Sequence, residues 1–263
     1  MSVSETVARV RALREIVGQE EPKVTLGRFV VERELGRGGN GVVYEAVDPL
    51  SERPVALKVL SDVRADQLAR FKREFRALEL LAHPNVVDIY ELGRADDEWF
   101  FAMELVRGTD LVRYVRAEAD PARRVARLRR AFAGLVEGIA AIHGAGMLHR
   151  DLKPSNVVVD GAGRPVVLDL GMVGDQEEEL PADGIVAGTP AYMSPEQGAG
   201  LAATEASDLY AVGVMLYELL AGGLPFEGSG LAPLRAKARQ AAPPITAPSL
   251  DDPELAALCM ALL

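Results

Sequence analysis

Eight consecutive residues, His149-Arg150-Asp151-Leu152-Lys153-Pro154-Ser155-Asn156, are followed shortly by Asp169-Leu170-Gly171. Together they put two carboxylates, an ammonium and an amide on one stretch of loop. Such a set can hold a hard divalent cation, neutralise a phosphate and receive a proton from a hydroxyl. A polar loop supplies any one of these groups by accident. No structural role calls for all of them in this order.

A second stretch, Gly36-Arg37-Gly38-Gly39-Asn40-Gly41-Val42-Val43, lies between two strand-like runs. Alone, the G-x-G-x-x-G spacing is a weak signal, shared with dinucleotide-binding folds and ordinary hairpins. A dinucleotide site wants the glycines between a strand and a helix, with an acid about 20 residues on. Here a strand follows, and Lys58 stands near that distance. The hairpin setting favours a lid whose backbone N–H groups lie over triphosphate oxygens. Lys58 ends the apolar run Val55-Ala56-Leu57. It is either a strand lysine that snorkels to water or a cation for phosphates.

The elements that must position these groups are legible as periodicity. Val7, Val10, Leu13 and Val17 recur at helical spacing in an extension, residues 1–25, that Pro22 ends. Strands are expected at Phe29–Leu35, Val42–Ala46, Val55–Leu60, Val86–Leu92 and Trp99–Leu105, with a helix over Gln67–Ala82 broken by His83-Pro84-Asn85. After Gly108 the chain reads as mainly helical, over Leu111–Ala117, Pro121–Gly144, Ser207–Ala221 and Pro253–Leu263. The fold class is α+β: a five-stranded antiparallel sheet with one helix, then a helical part. The chain stops on Cys259-Met260-Ala261-Leu262-Leu263 without a capping residue, which reads as a cut through a domain.

Length and composition bound the function. At 263 residues, 49% apolar and 26% charged, the chain suits one large domain or two lobes sharing a cleft. A net charge of −10 argues against a nucleic-acid surface. The single cysteine, Cys259, excludes an internal disulfide and suits a reducing cytoplasm; it reads as a small apolar residue of a late helix. The start, Met1-Ser2-Val3-Ser4-Glu5, lacks a basic end followed by an apolar run, so no secretory leader is expected, and no apolar run reaches the roughly 20 residues that span a bilayer. The longest apolar run, Leu209–Leu224, reads as a buried core helix.

In motif order, over roughly residues 26–263, the sequence resembles the catalytic domain of bacterial Hanks-type (eukaryotic-like) Ser/Thr protein kinases. The resemblance implies a bilobal fold, with residues 26–105 as the N-lobe and 106–263 as a C-lobe whose last helix or helices are missing. It implies ATP as phosphate donor and Mg²⁺, with Mn²⁺ as a substitute ion. Asp151 becomes the base that orients a substrate hydroxyl, and Lys153 the cation on the γ-phosphate. Asn156 and Asp169 become the metal ligands. Lys58 would hold the α- and β-phosphates, fixed by Glu74, with Glu79 the weaker choice. Gly36, Gly38 and Gly41 would form the lid. Leu35, Val43 and Ala56 would cover the adenine and Val158 lie beneath it. Met103 would line the back, backbone groups of Glu104 and Val106 would read the adenine edge, and Asp110 would reach the ribose.

The Asp151-Leu152-Lys153-Pro154-Ser155-Asn156 wording and Gly188-Thr189-Pro190-Ala191-Tyr192-Met193-Ser194-Pro195-Glu196 resemble kinases that act on Ser or Thr of proteins. Thr189 would bond near Asp151 and Lys153. Asp208 matches the family's buried helix aspartate that braces the catalytic loop. His149 reads as a packed histidine in a stack with Leu78, Ile89 and Leu170, and His83 and His143 as structural. The alternative reading is a pseudokinase, a nucleotide-binding scaffold without turnover. Lys58, Glu74, Asp151, Lys153, Asn156 and Asp169, all present, argue against it.

Departures from the family pattern are Leu170 in place of phenylalanine, Ser194 in place of alanine, and Asn40 at the lid tip. The family also pairs Glu196 with an arginine near its end, and no arginine follows Arg239. A C-terminal regulatory or sensor domain is expected beyond the last residue. Between Gly171 and Thr189 there is no Ser, Thr or Tyr, but Asp175, Glu177, Glu178 and Glu179 are present. These carboxylates either stand in part for the phosphate that other kinases place opposite the loop arginine, here Arg150, or form a solvated acidic loop; the first reading is the one tested. Activity compared before and after phosphatase treatment should then be unchanged; a large loss would refute the substitution.

Overall fold

The computed structural model describes residues 24–38, 41–60, 72, 75–95, 98–169, 190–246 and 249–263. The N-terminal extension to residue 23, Gly39 and Asn40 at the lid tip, Glu74, Leu170 and Gly171, the acidic loop and Thr189 lie outside these residues. The chain divides into two compact units, residues 1–80 with 87–106, and residues 81–86 with 107–263.

The first unit is built on an antiparallel sheet. Its strands are β1 (Val24–Leu26), β2 (Phe29–Gly38), β3 (Gly41–Asp48), β4 (Arg53–Leu60), β5 (Ile89–Ala95) and β6 (Glu98–Glu104), in spatial order β1-β2-β3-β4-β6-β5. The expectation of five strands is corrected to six. The addition, β1, turns at Gly27 (φ 57) and pairs Leu26 with Phe29. It is only three residues long, too short for an alternating pattern, yet Leu26 is fully buried. The strand expected from Val86 begins at Ile89 instead, because Val86 forms a parallel bridge with Val167 in the second unit.

Alternation along the strands gives two faces. On one, Val42, Tyr44, Ala46, Val55, Leu57, Val59, Phe100 and Ala102 close over Leu26 and Phe29. Phe29 meets Phe100 edge-on at 5.8 Å between ring centroids. The other face carries Val43, Ala56, Lys58, Phe101 and Met103. Helical residues 75–79 cover part of it, with Phe75 stacked on Phe101 at 6.0 Å. Burial on both faces explains why β4 reads as an unbroken apolar run rather than an alternating one. Each fully buried Leu or Phe contributes about 1.5–3 kcal/mol. Where β3 begins, Gly41 has φ 131, and a Cβ there would sit 2.0 Å from the Val59 carbonyl oxygen. Only glycine lets the two strands approach so closely.

The second unit holds helices α1 (Leu111–Arg116), α2 (Pro121–Gly144), α3 (Pro195–Gly198), α4 (Glu205–Ala221), α5 (Ala232–Lys237) and α6 (Pro253–Leu262). It also holds a small antiparallel sheet that the sequence reading missed, β7 (Gly108–Asp110), β8 (Val157–Asp160) and β9 (Pro165–Val167), in that spatial order. Strands of three or four residues carry no usable period. Helix starts are written in side chains: Asp110, Asp120 and Asp252 accept from the N–H of Arg113, Arg123 and Leu255. Helix α4 is buried nearly all round, as its composition foretold, and ends at Gly222 in the left-handed region (φ 87).

Helix α6 seals the unit. Cys259, fully buried, directs its thiol at the Gly213 carbonyl, and burial pushes its pKa up to about 12. The Arg129 guanidinium of α2 grips both oxygens of buried Asp252 at 2.7 Å and reaches Glu254 at 2.8 Å. That bond holds the Asp252 carboxyl below the usual range. No helix among the described residues is long and apolar enough to cross a membrane.

Helix α2 carries two interior glycines one turn apart, against propensity. A Cβ on Gly138 would lie 2.8 Å from the Asn85 carbonyl oxygen, and one on Gly134 would lie 2.7 Å from the Pro165 ring. The missing side chains let the helix rest on β9 and residue 85, where Asn85 donates to the Pro165 carbonyl (2.8 Å) and accepts from the Val167 N–H (2.9 Å). Gly138→Ala is therefore expected to destabilise by about 1–3 kcal/mol despite better helix propensity. Gly144→Ala, which meets nothing within 4 Å, should be neutral or stabilising by up to about 1 kcal/mol. Urea unfolding of the two variants is the measurement, and equal effects would refute the packing argument.

Candidate active site

The loop that bears Asp151 is organised by one carboxylate on α4. Asp208 is 2% exposed, in the first turn of that helix. Its Oδ2 accepts the His149 N–H at 2.8 Å and Oδ1 the Arg150 N–H at 2.7 Å. His143 Nε2 lies 2.9 Å from Oδ2. Arg150 adopts φ 67, a left-handed conformation that costs a long side chain about 1–2 kcal/mol. It is held there from both sides, since Gln197 Nε2 donates to its carbonyl at 2.8 Å.

His149 is fully buried, as read, and its tautomer follows from its partners. Nε2 lies 2.8 Å from the Leu168 carbonyl, which can only accept, so Nε2 carries the proton. Nδ1 then accepts the Asp151 N–H at 3.3 Å. Burial lowers the His149 pKa, which keeps the ring neutral. Leu78 and Ile89, its expected stacking partners, are buried in the first unit.

Asp151 follows, half-buried. Lys153 Nζ sits 2.5 Å from its Oδ2. A single 3₁₀ turn, Pro154–Asn156, then brings the amide of Asn156 back over the loop. Asn156 is 6% exposed, and its Nδ2 donates to the Asp151 carbonyl at 2.8 Å. The amide oxygen is therefore the atom left for a ligand. The Leu168 N–H bonds the Asn156 carbonyl at 2.8 Å, which sets Asp169 beside the loop. Asp169, half-buried, has φ 56, a conformation that aspartate tolerates better than most residues. An amide oxygen with a carboxylate, and neither thiolate nor imidazole, fits a hard cation that keeps several waters.

In the first unit Lys58 is 7% exposed on β4, opposite Val43 on β3 and Phe101 on β6. By alternation it shares a face with Val43, Ala56 and Met103. Leu35 is 40% exposed on β2. Gly36 pairs with Val43 and Gly38 with Gly41, and a Cβ at either Gly36 or Gly38 would meet nothing within 4 Å. Crowding by the described residues thus explains Gly41 but not Gly36 or Gly38, where the space left among those residues fits a close-lying ligand. The Glu104 N–H is occupied by the Asp88 carbonyl at 2.8 Å, so it is not available to an adenine edge; Val106 lies just past β6. Glu79 is exposed.

In the second unit Asp110 and Val158 are direct cross-strand neighbours. The Asp110 carboxylate caps α1, accepting the Arg113 N–H at 2.9 Å. In the segment after residue 189, the Tyr192 hydroxyl donates to Glu218 at 2.7 Å, and burial, then that bond, raises the phenol pKa. Glu196 accepts the Ser207 hydroxyl at 2.6 Å. Burial pushes its pKa up, but the Ser207 bond and a backbone N–H outweigh that, leaving it below the usual value. Gln197 and Lys237 were not singled out from sequence. Gln197 had a readable signal, the Ser194-x-x-Gln197 capping box, which is formed. Lys237 had none.

The sequence matches the protein kinase domain over residues 29–254. The chain belongs to the protein kinase domain family. It is 40% identical, over 77% of its length, to the DNA damage-responsive serine/threonine-protein kinase RqkA of Deinococcus radiodurans. It is 37% identical, over 83%, to the serine/threonine-protein kinase PrkC of Bacillus subtilis. To the serine/threonine-protein kinase pkn2 of Myxococcus xanthus it is 41% identical over 77%. The chain spans 31%, 34% and 25% of these relatives, in that order, about a third of their length or less. The α+β kinase fold expected from the motifs is the fold of the family.

Asp208→Ala is expected to cost about 2–5 kcal/mol, because two buried N–H groups and the His143 ring lose their acceptor together. Guanidinium unfolding measures it. A cost below about 1 kcal/mol would mean that the loop is held by other contacts.

Proposed function

We propose that this chain is an ATP- and Mg²⁺-dependent protein kinase domain that transfers the γ-phosphate to Ser or Thr hydroxyls of proteins. One observation carries the reading. Asp151, Lys153 and Asn156 form a single hydrogen-bonded unit, tethered through Leu168 to Asp169. The relatives, named as serine/threonine-protein kinases, support the same substrate class.

The roles follow from the atoms. Lys153 and Asn156 both face Asp151 Oδ2, at 2.5 and 3.4 Å, so Oδ1 is the oxygen that receives the substrate hydroxyl. Asp151 orients that hydroxyl and takes its proton as the oxygen attacks phosphorus and the bond to the leaving diphosphate breaks. Lys153 turns its ammonium to the transferred phosphoryl group, whose equatorial oxygens gather negative charge. Asn156 Oδ1 and the Asp169 carboxylate hold Mg²⁺, which when bound neutralises charge on the phosphate oxygens. Lys58, with Glu74 as its partner, takes the α- and β-phosphates. The N–H groups around Gly36, Gly38 and Gly41 lie over the triphosphate. In the first unit Leu35, Val43, Ala56 and Met103 take the adenine, whose edge the Glu104 carbonyl and Val106 N–H read; in the second, Val158 is the adenine residue that the family resemblance implies. Asp110 reaches the ribose while capping α1, and Thr189 bonds near Asp151 and Lys153. The chain acts in the cytoplasm as the catalytic part of a longer protein whose remaining regions carry regulation.

Asp151→Asn keeps the size of the side chain but removes the proton acceptor. Transfer of labelled γ-phosphate from Mg-ATP to dephosphorylated casein should fall about 10²–10⁴-fold. Binding of ATP, followed by calorimetry, should be retained. Transfer that survives the substitution would refute the assignment, and ATP binding with no transfer by the unsubstituted chain would make it a scaffold.

A further inference from the structure

Residues 190–193 follow Thr189 and precede α3, and they belong to no helix or strand. Their carbonyls therefore need partners from elsewhere. Three of them converge on one side chain. Lys237 Nζ, at the end of α5, donates to the Pro190 carbonyl at 3.1 Å, to Ala191 at 2.9 Å and to Met193 at 2.6 Å. Lys237 is 6% exposed, and no carboxylate among the described residues pairs with it. Its ammonium also faces the Tyr210 ring of α4, 5.3 Å from the centroid.

A buried, unpaired lysine is expensive, and a surface helix has no need of one. What it does here is fix a wall. Tyr192 and Met193 line a small cleft together with Asp151, Leu152 and Gln197. The wall is tied to the catalytic loop by Gln197 on the Arg150 carbonyl, and to α4 by Tyr192 on Glu218. Both of these ties act through side chains, and among the described residues it is Lys237 that holds the backbone of the wall itself. We propose that Lys237 is a positioning residue for the protein substrate: it sets the backbone of residues 190–193 so that the peptide bearing the Ser or Thr lies against Tyr192 and Met193 with its hydroxyl at Asp151. This rests on the kinase reading above and adds the element that seats the peptide. Lys237 touches neither ATP nor the reacting atoms.

The protonation state matters, because an ammonium has three N–H donors for three carbonyls and a neutral amine has two. Burial pushes the Lys237 pKa down to about 8. The groups around it are the three carbonyls and, from α4, the Tyr210 phenol, whose pKa burial and then Glu196 raise to about 12. Neither the carbonyls nor that phenol titrates near 8. The third bond is present below about 8 and is lost as pH rises through it.

The experiment is steady-state phosphorylation of dephosphorylated casein by the wild type, Lys237→Met and Lys237→Arg, with KM measured for casein and for ATP separately. Lys237→Met should raise the casein KM about tenfold, leaving the ATP KM within about twofold. Lys237→Arg, which keeps charge and donors, should recover most of that loss. The wild-type casein KM should also rise above pH 8, and that of Lys237→Arg should stay flat. If Lys237→Met fails to fold, the pH profile of the arginine variant decides alone: a rise matching the wild type overturns the proposal. An unchanged casein KM, or both KM values rising together, also overturns it while leaving the kinase reading intact. Absence of Asp151-dependent transfer in the wild type overturns both.

Discussion

A carboxylate buried inside a helix is costly unless every oxygen is paired, and that constraint shapes the second unit around Asp208. Two backbone N–H groups and an imidazole meet its two oxygens, all within 2.9 Å. Charge-assisted bonds of this kind contribute about 1.5–3 kcal/mol each and offset the loss of water around the anion. The geometry is also directional. Two successive N–H groups can face one carboxylate only if the chain turns sharply there, and Arg150 with φ 67 is that turn. Asp151 comes next and is aimed by it. The histidine tautomer, the return of Asn156 and the register of Leu168 are all consequences of where this one side chain stands.

The rest of the unit makes that side chain immovable. Helix α4 buries apolar residues on every side, so rotation about its axis is blocked. Helix α6 closes one flank through Cys259 and the Arg129–Asp252 pair. Helix α2 closes another, brought within reach of β9 by the two glycines that deny it side chains. Rigidity is thus built from apolar packing, and the polar loop inherits it. A loop with its own freedom could not keep a non-glycine residue in the left-handed region, because the strain would relax.

The Asp151–Asn156 set was legible from sequence because it is local. Its members fall within six residues, and one 3₁₀ turn is enough to bring them together. The brace from Asp208 was legible only through the family resemblance, since nothing in spacing connects residues 58 and 59 positions apart. Lys58 and the hairpin glycines were legible as strand and turn chemistry, although sequence alone could not separate Gly41, excluded from any Cβ by Val59, from Gly36 and Gly38, which are not crowded. The short strands β1 and β7 to β9 were missed because three or four residues give no period. The occupied N–H of Glu104 was beyond sequence too, since its partner is a carbonyl.

Such a scaffold gives the two oxygens of Asp151 different surroundings, and on the proposed reading different tasks. Its Oδ2 is tethered by Lys153 and approached by Asn156, so the carboxylate cannot swing freely. A tethered oxygen fixes the direction of its twin, and that twin, Oδ1, is the one that can meet a hydroxyl along a defined line. The tether is an ammonium, not a backbone N–H, and this choice has a chemical consequence. In the proposed transfer the Lys153 side chain would turn toward the phosphoryl group about its own single bonds and leave the loop backbone in place, whereas a backbone donor could not. The same ammonium thus fixes Asp151 in the resting loop and, in the proposed transfer, would answer the charge that builds up on the phosphoryl group. Asn156, its Nδ2 bonded to the Asp151 carbonyl, holds the loop in place independently of the Lys153 side chain.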